Sequence, residues 1–166
     1  MRPSASYWIK KLELTGHIEG GYFREVYRSE LVIDPTQLPA AFAGKKHLST
    51  SIYFLLEQGQ FSSFHRIASD EQWHFYFGDP LIVYEINSSG TCVQHLLGND
   101  PEKGESFQCV IEAGSWFASR PAPASEYCLV GCTVAPGFDF EDFELADRDR
   151  LSEQFPQHHE LITSLT

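Results

Sequence analysis

A single methionine, no apolar run long enough to cross a bilayer, and only 12 Lys and Arg against 23 Asp and Glu mark this 166-residue chain by what it has little of. The deficit of basic residues leaves a net charge of -11, with no basic stripe to offset it locally. Nucleic-acid affinity rests on Lys and Arg neutralising phosphates, so that class of partner is excluded, and the acidity reads as a solubility feature. The opening stretch "MRPSASYWIKKLEL" has no apolar core of the kind a secretory leader needs. A cytoplasmic address with no membrane partner is therefore expected. Four cysteines, Cys92, Cys109, Cys128 and Cys132, include no CxxC pair and are read as buried free thiols. The even offset of Cys128 and Cys132 places both on one strand face.

Aromatic residues, by contrast, are plentiful at 14% and favour strands, because their rings suit a half-buried pleated surface. "SYWIKKLEL" predicts a short helix over 6–14, and Gly20-Gly21 breaks the chain before a strand from about Tyr22 to Ser29. Residues 34–46, with Pro35, Pro39 and Gly44, read as an irregular loop. From His47 onward strand follows strand, interrupted by "SDE", "GDP", "NSSG", "GNDPEKGE" and "RPAPA", which is turn chemistry at short intervals. An acidic tail predicts two helical pieces, with Pro156 near the start of the second. Length fits one domain over 1–166, with a core barrel over about 20–146 and a helical tail over about 147–166. Many short antiparallel strands with helices only at the ends point to a sandwich or barrel.

The stretch "GQFSSFHRIASDEQWHFYFG" places Gly59, His65, Glu71 and Gly78 at fixed intervals, with Ile67 two residues beyond His65. Further on, "EAGSWFAS" has the form of a tight turn at Gly114 followed by Trp116 and Phe117. Together these resemble the two motifs of the cupin superfamily, in which glycine, two histidines, glutamate and glycine are followed by a turn and a further histidine. Ile67 and Phe117 stand where two of the three histidines would be. "HIEGGYFREVYRSE", "HRIASDEQWHFYFGDPL" and "VGCTVAPGFDFEDFEL" extend the likeness over about residues 7–146, to a subfamily of small single-barrel cupins catalogued as a domain of unknown function. The resemblance implies an all-β fold: a cupin-type double-stranded β-helix, or jelly-roll barrel, with short N-terminal and C-terminal helices. It also implies pairing into a homodimer.

A cupin metal is held by three histidines and a glutamate. With two ligands replaced by carbon, no cofactor is expected beyond a weak or adventitious divalent cation, bound if at all by His65, Glu71 and His74. Alternation from Glu71 puts Trp73, Phe75 and Phe77 on its face and His74 opposite, unless a bulge intervenes. The same pair suits acid/base work: His65 as base and Glu71 orienting it, with Tyr22, Tyr53, Tyr76 or Tyr84 as acid. Cupin epimerases use a pocket histidine in this way on a carbonyl-activated sugar. Trp73, Phe75, Trp116 and Phe117 either pack the core or stack on a ring in the pocket. Arg24 and Arg28, four apart, are read as sharing a face, for an anionic ligand or for local acids such as Glu25. "HIEGGY" either closes over the barrel mouth or leaves His17 as a surface turn residue, and the Phe138–Phe143 stretch reads as aromatics pressed onto the barrel. Asp70 is assigned to a turn and Arg66 to the outer face, while His95, His158 and His159 are given no role. The expected function is binding of a small organic ligand, a sugar or nucleotide derivative, with metal-independent epimerisation or isomerisation as the leading chemistry. The alternatives are a metal-dependent oxygenase or isomerase and a non-catalytic barrel.

Overall fold

The computed structural model describes residues 2–42 and 44–166. Ser4 caps the first helix, α1 (Ala5–Lys11), its hydroxyl accepting from the Tyr7 N–H at 3.2 Å. The strands follow in the order β1 (Thr15–Gly16), β2 (Tyr22–Arg28), β3 (Val32–Ile33), β4 (Lys46–His47), β5 (Thr50–Glu57), β6 (Ser62–Arg66) and β7 (Asp70–Gly78). After them come β8 (Leu81–Ile86), β9 (Cys92–Leu97), β10 (Gln108–Ile111), β11 (Trp116–Pro121), β12 (Tyr127–Ala135) and β13 (Glu144–Leu145). Two helices, α2 (Arg148–Gln154) and α3 (His159–Ser164), close the chain, with Pro156 opening a 3-10 turn between them. Within the 34–46 stretch read as a loop, Pro35–Gln37 forms a further 3-10 turn and Lys46 begins β4.

Six strands pair in the order β1-β2-β5-β12-β7-β10 and five in the order β13-β6-β11-β8-β9, all antiparallel among the barrel neighbours. These two sheets are the walls of a jelly roll, and alternation along each strand sorts its side chains into three apolar layers. Between the sheets lie Phe54, Leu56, Trp73, Val83, Phe117, Val130 and Cys132. Their neighbours on the same strands face outward: Leu55 and Leu129 pack under α1, while Trp116 and Ala118 pack under α2 and α3 with Leu151, Phe155 and Ile162. The terminal helices thus cover one outer face each, which accounts for strands that are apolar on both sides.

Three irregularities reset this alternation, the first in β6, where the register against β11 steps from Phe117↔His65 to Ser119↔Ser62. In β7 the register against β12 steps from Phe75↔Val130 to Phe77↔Leu129, so Tyr76 is extra and Phe77 turns out toward Trp8 of α1 rather than in with Trp73. In β2 the pairing steps from Glu25↔Ile52 to Tyr27↔Ser51, so residues before and after Val26 sit in opposite phase. Ile67, Ala68 and Ser69 carry the chain from β6 in one sheet to β7 in the other.

Candidate functional site

Inside the barrel lies a cavity of about 400 Å³, a volume suited to a small organic molecule. Its walls are Phe23, Ile52, Phe54, Trp73, Cys132 and Val134, and its polar end is His17, Glu19, Ser62, His65 and Glu71. Glu25, Arg28, His47, Thr50 and the segment Phe138–Phe140 complete the lining. His65 comes from the five-stranded sheet and Glu71 from the six-stranded one, brought into one cavity by the short β6–β7 connection.

Glu19, not Glu71, is the carboxylate on His65. Its Oε2 lies 3.3 Å from His65 Nδ1 and 3.9 Å from His17 Nδ1, and it accepts from Ser62 Oγ at 2.8 Å. His65 Nδ1 is also 2.7 Å from the Ser63 carbonyl. A carbonyl only accepts, so Nδ1 carries a proton, and in the neutral ring Nε2 is the basic nitrogen. His17 has the opposite tautomer: its Nδ1 accepts from the Glu19 N–H at 3.2 Å, which leaves the proton of the neutral ring on Nε2. Burial holds His17 below the usual imidazole range and the charge of His65 adds to this, against the pull of Glu19. Glu71 is pushed up to about 8, chiefly by burial and then by the charge of Glu19, with a hydrogen bond from Cys132 opposing. At neutral pH it is therefore a carboxylic acid, able to donate. Burial, then Glu71, raises the Cys132 thiol in turn, so it is an inert wall of the cavity rather than a nucleophile. Trp73 Nε1 is buried with no hydrogen-bond partner among the described residues.

Several of the residues considered for the site lie outside the cavity, each for a definite reason. His74 is on the outer face of β7, 3.2 Å from Thr133 Oγ1 and stacked on Tyr76. Trp116 is adjacent to Phe117 on one strand, so the two cannot share a face: Trp116 lies under the C-terminal helices, with Arg66 over its ring at 4.6 Å. Phe117 and Phe75 point inward but pack in the core, Phe117 lying 4.1 Å from the His65 ring. Tyr22 faces α1, and Arg24 reaches out to Glu13 at 2.8 Å. The β2 bulge breaks the expected pairing of Arg24 with Arg28, so that Arg28 alone lines the cavity. None of the four tyrosines considered as an acid does so; Tyr84, for example, spends its hydroxyl on Arg120 at 3.0 Å. Asp70 accepts from the Ala113 N–H at 2.9 Å, pinning the β10–β11 turn.

Sequence reasoning left Glu19 without a role, and the signal for it was Gly20-Gly21. Both have positive φ, and a Cβ on Gly20 would strike the Phe61 carbonyl while one on Gly21 would meet Leu56 and the Leu55 carbonyl. A backbone pressed that closely against the barrel has little choice but to turn Glu19 inward, and its carbonyl is held by the Ser63 N–H at 3.0 Å.

A jelly roll with a buried histidine–carboxylate cluster in its lumen is cupin architecture. The chain belongs to the family described as "Cupin superfamily (DUF985)", which it matches over residues 6–146. It is 32% identical over 143 residues to the uncharacterised yeast protein YML079W of Saccharomyces cerevisiae, covering 81% of this chain and 71% of that one. Solved structures of a hypothetical protein from Leishmania major (35% identity, TM-score 0.90) and of protein SO0799 from Shewanella oneidensis (40% identity, TM-score 0.88) superpose over 99% of this chain and over 99% and 98% of theirs. A Bacillus subtilis oxalate decarboxylase variant, 16% identical with a TM-score of 0.55 over 91% of this chain and 37% of its own, shares the fold alone.

Two of the positions that hold a metal in the superfamily carry no ligand atom here: Ile67 and Phe117, 5% and 1% exposed, place hydrocarbon there. Among the described residues no group of three or more His, Cys, Asp or Glu is placed to share an ion. No helix among them is long and apolar enough to cross a membrane.

Proposed function

We propose that the barrel binds a small organic molecule, a sugar or nucleotide derivative, and moves a proton on it as an epimerase or isomerase, using His65, Glu71 and Glu19 rather than a tightly held metal. The observation that carries this reading is the tautomer of His65: Nδ1 is fixed by a carbonyl and a carboxylate, leaving Nε2 as the base in a cavity that also holds a protonated acid. His65 Nε2 takes the proton from carbon next to the substrate carbonyl, the electron pair passes into the carbonyl oxygen, and the Glu71 O–H hydrogen-bonds that oxygen as its charge develops. The Glu19 carboxylate stabilises the imidazolium. Return of the proton from His65 to the neighbouring atom gives the isomer, and protonation of the opposite face of the carbon by a second donor such as water gives the epimer.

The test is solvent exchange. The protein is incubated in D2O with carbonyl-bearing sugars and nucleoside derivatives, and deuterium uptake into each compound is read by mass spectrometry. Uptake into one compound is expected, falling at least about 100-fold in His65→Ala and in Glu71→Gln, the usual worth of a positioned acid or base. Binding without uptake in any compound would leave a non-catalytic barrel.

A further inference from the structure

The charge and shape of the cavity narrow what it takes. Arg28 is the only Lys or Arg in the lining among the described residues, and its charge is already committed. Nε donates to Glu25 Oε1 at 3.0 Å, Nη2 to Glu25 Oε2 at 2.7 Å, and Nη1 to the Phe138 carbonyl at 3.2 Å. An anion seeking Arg28 must therefore displace a bidentate carboxylate. Lys46, behind the lining and 1% exposed, is held by Asp142 at 2.7 Å, with Asp139 and Glu141 at 3.9 Å. Facing these two committed cations are the lining carboxyl groups Glu19, Glu25, Glu71 and Asp139. The surroundings that keep Glu71 uncharged would also oppose a bound phosphate or carboxylate.

What the cavity does offer is neutral. Phe23, Phe54, Trp73, Phe138 and Phe140 supply ring faces and edges. Trp73, 2% exposed, adds ring surface rather than its Nε1, which is itself buried. We infer that the cavity selects an uncharged, ring-bearing molecule, a nucleoside or free sugar type of ligand in preference to any phosphorylated or carboxylate-bearing one. The inference rests on the reading of the cavity as a ligand site, and it stands or falls separately from the proton transfer.

Matched compounds differing only in charge test it at pH 7.5 by calorimetric titration: benzamide against benzoate and benzylamine, and uridine against uridine 5′-monophosphate. The neutral member of each set is expected to bind about tenfold or more tighter than its charged counterparts. Glu25→Gln releases Arg28 and is expected to raise affinity for benzoate and uridine 5′-monophosphate. Equal or tighter binding of the anions, tighter binding of benzylamine, or no binding of either neutral compound overturns the inference. Deuterium uptake is not consulted in these titrations, so the charge ranking can fail while the exchange reaction persists, and the reverse.

Discussion

Glu71 sits in the barrel wall facing Glu19, and a carboxyl so placed makes folding depend on pH. Its pKa is pushed up to about 8 from an ordinary 4.5, chiefly by burial. Between those values the folded chain keeps a proton that the unfolded chain has released, so stability falls as pH rises through the window and levels off above it. The slope is at most about 1.4 kcal/mol per pH unit. His17 acts with the opposite sign, since its lowered pKa costs stability as pH falls below its ordinary 6.5. Above pH 6.5 the effect of Glu71 is thus read with little interference from His17. Glu71→Gln cannot ionise, and relative to the parent it is expected to gain about 2–4 kcal/mol between pH 5 and pH 8.5, measured by urea unfolding at several pH values. Parallel profiles for the two proteins would show that Glu71 titrates normally.

At the scale of elements, the segment from Phe138 to Phe143 closes one side of the cavity. Its three phenylalanines pack edge to face with centroids 5.1–6.2 Å apart, and Phe143 lies 5.5 Å from the His65 ring. Thr50 Oγ1 accepts from the Phe138 N–H at 2.9 Å, and Lys46 of β4 grips Asp142. Asp142 is 6% exposed, so removing Lys46 would take a charged partner from a carboxylate largely out of water. Lys46→Met is expected to cost about 3 kcal/mol, with Lys46→Met/Asp142→Leu recovering most of it. Amide exchange should quicken in residues 138–145 well before β5 and β12; a uniform rise would mean that the ion pair does not hold this segment.

The strands themselves were readable because turn residues punctuate them and apolar residues recur on both faces, as in "SIYFLLE" and "YCLVGCTVAP". His65 and Glu71 could be placed because their spacing with Gly59 and Gly78 carries the resemblance to the cupin motif. The bulges at Val26 and Tyr76 could not be read, because one extra residue on one strand changes no local composition while reversing every side chain beyond it. Arg24 and Arg28 were therefore read as sharing a face, although only Arg28 turns into the cavity. Glu19 was missed because its partners Ser62 and His65 lie more than 40 residues away and meet it only through the packing of the glycine loop.

Over the whole molecule, the helices cover two outer faces but leave the β2–β4 corner bare. Tyr27, Leu31, Val32 and Leu48 are all roughly half exposed or more, and the backbone joins them into one patch: Leu48 N–H donates to the Leu31 carbonyl at 2.9 Å and Val32 pairs with His47. An apolar patch of several such side chains at a sheet margin favours association, and a net charge of -11 opposes indiscriminate association. A two-fold pairing in which each copy covers the patch of the other satisfies both tendencies, and it would close at two chains. Light scattering is expected to give a dimer mass at micromolar concentration. Leu31→Glu, placing a like charge on both sides of the contact, should yield monomer with helix and strand content unchanged by circular dichroism. Arg28 and His47 line the cavity from strands bordering this corner, so ligand affinity is expected to change with the loss of the dimer. A monomeric parent would rule out the pairing, and a dimer indifferent to Leu31→Glu would move the contact to another face.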